Sequence, residues 1–136
     1  HDQSHYRKMG DALEAVHYLN QALAFYGIAD RTVVVVASDF GRTPWFNSRS
    51  GKDHWSMTSN LIITPEGHQT GGKVFGETDD LFKAKKVNIN TGRADDNGVE
   101  ITPAHVNKAL RKYLGIEDYA VAGGFEIVAE DINLFG

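Results

Sequence analysis

VVVVASDFGRTPWFNSRSGKDH, residues 33–54, is the stretch that decides how this chain is read. Thr32 to Ala37 shows no alternation of apolar and polar residues. A short run that is apolar on both faces predicts a central strand covered by helices on each side, as in parallel α/β sheets. The run breaks at Ser38, and Asp39, Arg42, Asp53 and His54 follow it within a long polar loop, residues 38–59, punctuated by Gly41, Pro44 and Gly51. Loops of this length inside a domain are usually functional or disordered, and Trp45 and Trp55 argue against disorder.

Supporting elements flank the stretch. From Ser4 to Tyr26, Met9, Leu13, Val16, Leu19 and Leu23 recur at spacings of four, three, three and four, which predicts an amphipathic helix with one apolar face. Ser4 or Asp2 suits its start and Gly27 its end. Downstream, Leu61 to Thr64 predicts a second short strand stopped by Pro65, with further short strands at Lys73–Phe75 and Lys85–Thr91. Thr102-Pro103 opens a second helix, with Val106, Leu110, Tyr113 and Leu114 on its apolar face and Gly115 at its end. The tail, Ala120 to Gly136, reads as strand or loop pieces.

The bulk numbers exclude several functions. The chain has 136 residues, enough for one core, so a single partial α/β domain over residues 1–136 is expected. A net charge of -4 and no basic cluster argue against nucleic acid. Val33 to Ala37, the longest apolar run, is too short to span a bilayer. With no cysteine, disulfides, thiolate nucleophiles and cysteine-based zinc sites are out. The sequence opens on His1 and enters a helix almost at once, which reads as a piece of a longer polypeptide. A truncated sheet of this kind would leave an apolar edge open to self-association.

The chemistry concentrates after the valine run. A buried parallel strand delivers the residues beyond its carboxyl end into a crevice where ligands bind, which is where Asp39 stands. Asp39 offers oxygen to a cation, and carboxylate with imidazole, as in Asp53-His54, suits zinc, manganese or iron better than calcium. Arg42 supplies a planar fork apt for phosphate or sulfate oxygens. Plainer roles stand beside these. Asp39 would shape a turn or pair with Arg42, and His54 would sit in a core between Trp45 and Trp55. His1 and His5 have the i, i+4 spacing of helical zinc ligands, yet an aspartate replaces the glutamate a zinc protease needs. His1 as a single ligand is the better reading of the pair. Asp39-Phe40-Gly41 spells the kinase magnesium tripeptide, but no other kinase element accompanies it. Ser38 and Thr43 have no base fixed beside them and read as turn formers.

The order of these motifs resembles the DUF1501 family. The resemblance rests on residues 32–43, TVVVVASDFGRT, then Asn47, then Gly51-Lys52-Asp53-His54, then Gly71-Gly72-Lys73-Val74-Phe75-Gly76. The Leu19-Asn20-Gln21-Ala22-Leu23 helix and the Thr102-Pro103 helix ending at Leu114-Gly115 also fit. The family is placed with the alkaline phosphatases and sulfatases. The resemblance therefore implies a three-layer αβα fold with a mostly parallel sheet, of which this chain is a C-terminal portion. It also implies one or two divalent metals and attack on phosphate or sulfate esters by a nucleophile lying outside this chain. On that basis Asp39 and His54 lead as metal ligands, His1 and Asp53 follow, and Arg42 binds the anion. Phe40 stands where the superfamily commonly has histidine, which removes one ligand. A twin-arginine export signal and a periplasmic or exported parent are implied as well.

Two readings of function follow. One is a portion of a metal-dependent phosphate or sulfate ester hydrolase, inactive alone. The other is a non-catalytic protein of the cell envelope, in which Trp45, Phe46 and Trp55 make carbohydrate or protein contacts unless they merely anchor the loop.

Overall fold

A computed structural model describes residues 4–119 and 124–136. Contacts divide the chain into two compact units, His1–Gly71 and Gly72–Gly136.

The first unit begins with α1 (His5–Phe25). Its end is set by a Schellman motif: Gly27, at φ 66°, donates its N–H to Ala24 and Ile28 donates to Leu23. A helical turn at Ala29–Arg31 leads to β1 (Val34–Val36), followed by β2 (Gly41–Arg42), β3 (His54–Trp55) and β4 (Leu61–Ile63). The strands are nested. β1 pairs with β4 through Val34–Ile63, Val35–Ile62 and Val36–Leu61, and β2 pairs with β3 through Gly41–Trp55 and Arg42–His54. Residues 34–63 therefore leave and return as one excursion, with an outer ladder at its base and an inner ladder carrying the loop.

Both ladders are antiparallel. The architecture of the described residues is α/β, with two helices and two two-stranded sheets, and the parallel pairing expected of the valine run is not what forms. The reason is local. A parallel partner needs a crossover, usually a helix, between the two strands. Here residues 41–55 make a ladder of their own instead, so the chain comes back beside β1 in the opposite sense. An antiparallel pair tolerates one open face, and Val35 is accordingly exposed while Val34 and Val36 are half-buried.

Gly41 is fixed by contact. A Cβ at this position would overlap the Met57 carbonyl oxygen, so the backbone approach that sets the inner ladder admits no side chain. An apolar cleft of about 280 Å³ lies between Leu23 and Ala24 of α1 and Val34 and Ile63 of the outer ladder. No residue of α1 is buried, and Met9, Leu13 and Leu19 of its apolar stripe are exposed.

The second unit has a better-filled centre. Val87 is fully buried and exchanges both backbone hydrogen bonds with Val99. The strand expected at Lys73–Phe75 does not form, and the one expected at Lys85–Thr91 reduces to the isolated bridges Val87–Ala94 and Val87–Val99, beside a further bridge at Thr78–Ala84, because tight turns interrupt any longer ladder. α2 (Pro103–Tyr113) starts at Thr102 and ends, like α1, in a Schellman motif, here with Gly115 donating to Lys112 and Ile116 to Arg111. The described part of the tail runs along α2. Lys108 Nζ donates to the Ala129 carbonyl at 2.6 Å, and Tyr113 stacks on Phe135 at 4.2 Å. Among the described residues, no helix is long and apolar enough to cross a membrane.

Candidate functional site

The inner ladder builds the site. Arg42 and His54 stand opposite each other across β2 and β3. Directly opposed residues of an antiparallel pair share one face. Phe40, two residues before Arg42, completes that face. Its ring stacks on the His54 imidazole with centroids 3.8 Å apart and 29° between planes. The Arg42 guanidinium carbon lies 5.3 Å from the same ring. One aromatic surface thus supports an imidazole and a guanidinium together, a cation–π arrangement that orients the fork while leaving the charge intact. Arg42 Nη1 also donates to the Lys52 carbonyl at 3.1 Å, tying the fork to the returning strand.

The loop between the two strands is organised by Asn47 and Thr43. Asn47 Oδ1 accepts from the backbone N–H of Arg49 and of Gly51, and its Nδ2 donates to Asp53 Oδ1 at 2.8 Å. The Asn47 backbone N–H reaches the Gly51 carbonyl at 2.8 Å. Thr43 is buried. Its Oγ1 donates to the Trp45 carbonyl and accepts from the Asp53 N–H, while its own N–H donates to the Asp53 carbonyl. Asp53 is held at the end of the loop by both residues, next to His54.

Asp39 lies in the bend before β2, exposed, with no hydrogen bond or ion pair to another described residue. It does not pair with Arg42, whose fork goes to Lys52. His54 is no core histidine. It is exposed and stacked on Phe40, and Trp45 and Trp55 pack edge to face on each other at 5.1 Å. Ser38 Oγ donates to the Phe40 carbonyl at 2.7 Å, so its hydroxyl, like that of Thr43, shapes a turn. His1 and Asp2 lie outside the described residues. Among those described, no three histidine or acidic side chains converge as a metal would require.

The roles of three contributors go beyond what the sequence indicates. Phe40 was read as a missing ligand, whereas its spacing of two from Arg42 signals the same strand face. Asn47, four residues before Gly51, carries the signature of a side chain that caps its own turn. Thr43 forms the turn expected of it, and its further bonds to Asp53 are recognisable only once the ladder brings the two together.

Away from this loop, His105 of α2 is buried. Its Nδ1 accepts the Thr102 backbone N–H at 3.1 Å, the reciprocal half of a capping box, and its Nε2 lies 3.0 Å from Glu130 Oε2. Because a backbone N–H can only donate, Nδ1 carries the lone pair and Nε2–H donates to the carboxylate. Hydrogen bonds from the backbone and then from His105 hold the Glu130 carboxyl below its ordinary value of 4.5.

No curated protein and no solved structure matches the chain. The family described as "Protein of unknown function (DUF1501)" matches residues 1–94, which include α1, both ladders and the whole loop between them. With the larger part of its length matched, and with the site inside the matched part, the chain belongs to the DUF1501 family.

Proposed function

We propose that this chain carries the oxyanion-binding part of a metal-dependent hydrolase of phosphate or sulfate esters. The observation that carries the reading is the shared face of Arg42 and His54 on the Phe40 ring. A planar guanidinium with an imidazole beside it matches a tetrahedral oxyanion, accepting two oxygens in the fork and a third at the ring. Arg42 binds and orients the ester. His54 donates a hydrogen bond to it or takes part in metal binding, and Phe40 holds both groups in place.

Asp39, Asp53 and His54 have the donor chemistry of a borderline divalent cation such as zinc or manganese. The described residues supply no complete set, so ligation needs a further donor, for which His1 is the candidate. Such a cation would polarise the ester oxygen and offset developing negative charge. Neither Ser38 nor Thr43 serves as nucleophile, since both hydroxyls are spent on turns. That group is assigned to a part of the protein beyond this chain, which is then inactive by itself.

The same reading makes residues 1–136 one portion of a larger three-layer αβα domain, in which further strands extend the sheet. The exposed stripe of Met9, Leu13 and Leu19 supports it, because a long amphipathic helix ordinarily buries such a stripe. A periplasmic or exported parent is part of the proposal on family grounds.

A second reading keeps the fold and drops the catalysis, leaving a loop that binds in the cell envelope. Its support is that Trp45 and Phe46 are displayed to solvent while Trp55, half-buried, packs against Trp45. The intact gene product, assayed on aryl phosphate and aryl sulfate with chelator and then with added zinc or manganese, separates the two. Turnover that returns with metal supports the hydrolase. Absence of turnover under every metal leaves the binding protein.

A further inference from the structure

The loop over residues 43–53 exposes two large aromatic side chains on a backbone that is anything but loose. Trp45 is 55% exposed and Phe46 70% exposed. The Trp45 carbonyl is held by Thr43, and Asn47 fixes the turn immediately after Phe46. Trp45 rests edge to face on Trp55 with an interplanar angle of 80°. Lys52 Nζ lies 5.2 Å from the Phe46 ring and donates to the Pro44 carbonyl at 3.2 Å, so its ammonium is fixed among the aromatics. Displaying flat apolar faces from a pre-ordered loop costs hydration, and a partner that covers them recovers it at little cost in conformational entropy.

We infer that this loop is a saccharide subsite, and that it takes a sugar bearing a sulfate or phosphate group. The C–H face of a pyranose ring matches an exposed indole in size and polarity. The negative face of the aromatic system complements its polarised C–H groups, and Lys52 meets the anionic substituent. The chain as a whole is acidic, with net charge -4, so it offers polyanions no general attraction and any affinity must be local. Arg42 and His54 sit on the ladder that carries this loop. The inference rests on the ester reading above and deepens it by naming what carries the ester.

The test is affinity electrophoresis of the intact gene product in gels containing dextran sulfate, phosphomannan, unsubstituted dextran, or poly(vinyl sulfate), which has the charge but no sugar. Retardation by dextran sulfate or phosphomannan, with poly(vinyl sulfate) much weaker, is expected, and the stronger of the first two identifies the anion. Trp45→Ala is expected to weaken binding about tenfold and Trp45→Phe much less. Lys52→Gln should erase the preference for charged over plain dextran. Phe46→Ala serves if Trp45→Ala does not fold, as judged by its circular dichroism melt. Retardation by none of the polymers, equal retardation by poly(vinyl sulfate), or unchanged binding in folded Trp45→Ala and Phe46→Ala overturns the inference. Turnover of a small aryl ester needs no sugar contact. Aryl-ester activity without saccharide binding therefore sinks this subsite alone, and saccharide binding without activity sinks only the ester chemistry.

Discussion

Two histidines of this chain stand in opposite environments, one buried and one exposed. His105 is buried, and both of its ring nitrogens are engaged, one by the Thr102 backbone N–H and one by Glu130, so that it fastens the start of α2 to the tail. His54 is exposed, and its ring stacks on Phe40 with Arg42 alongside. A histidine whose nitrogens are consumed inside a fold contributes stability. One that is exposed, stacked on an aromatic ring and beside a guanidinium stands where solvent and ligands reach it. Under the proposed function, the comparison separates architecture from chemistry within one residue type.

The comparison can be broken most severely at Gly41. Gly41→Ala sets a methyl group against the Met57 carbonyl, and the inner ladder that places His54 must shift. A loss of about 3 kcal/mol is expected in urea denaturation. Next comes His105→Ala, which frees a helix-capping N–H and leaves Glu130 without its partner. It should cost about 2 kcal/mol, whereas His54→Ala should cost less than about 1 kcal/mol by the same denaturation. Equal losses at the two histidines would erase the distinction. Asn47→Ala removes three hydrogen bonds from a partly exposed turn and should cost about 1 kcal/mol, with raised amide exchange at Arg49 and Gly51.

The smallest effect is one of pH. The Glu130 carboxyl is held below its ordinary value, so folding favours its charged form. Its contribution is complete above about pH 4.5 and is lost as the pH falls through the lowered value. Glu130→Gln should therefore lower the melting temperature slightly near neutrality and converge with the parent in acid, so that its profile is flatter below pH 4.5, as thermal melts across that range would show.

Both helices were legible in sequence because each carries its own ending. Phe25-Tyr26-Gly27-Ile28 and Tyr113-Leu114-Gly115-Ile116 spell the same stop, and Thr102-Pro103 spells a start. Both strands of the outer ladder were also legible, but not their direction. Four valines in a row state that two faces accept apolar neighbours and say nothing about the sense of the partner, which was decided by the loop folding on itself. In the site, Asp39, Arg42, Asp53 and His54 could be named as a group because motif and loop keep them close along the chain. What could not be read was which of them face each other. That depends on a two-residue register, Gly41–Trp55 and Arg42–His54, and a slip by one residue would reverse every face. His105 went unnoticed since its partner, Glu130, lies twenty-five residues away.

The most direct test sets the two histidines side by side in the intact gene product. His54→Gln and His105→Gln are compared for metal-restored turnover of an aryl phosphate or sulfate, normalised to folded protein. The account predicts that His54→Gln loses turnover about a hundredfold with its melting temperature kept, and that His105→Gln melts lower but turns over normally once folded. Full turnover by His54→Gln would contradict it.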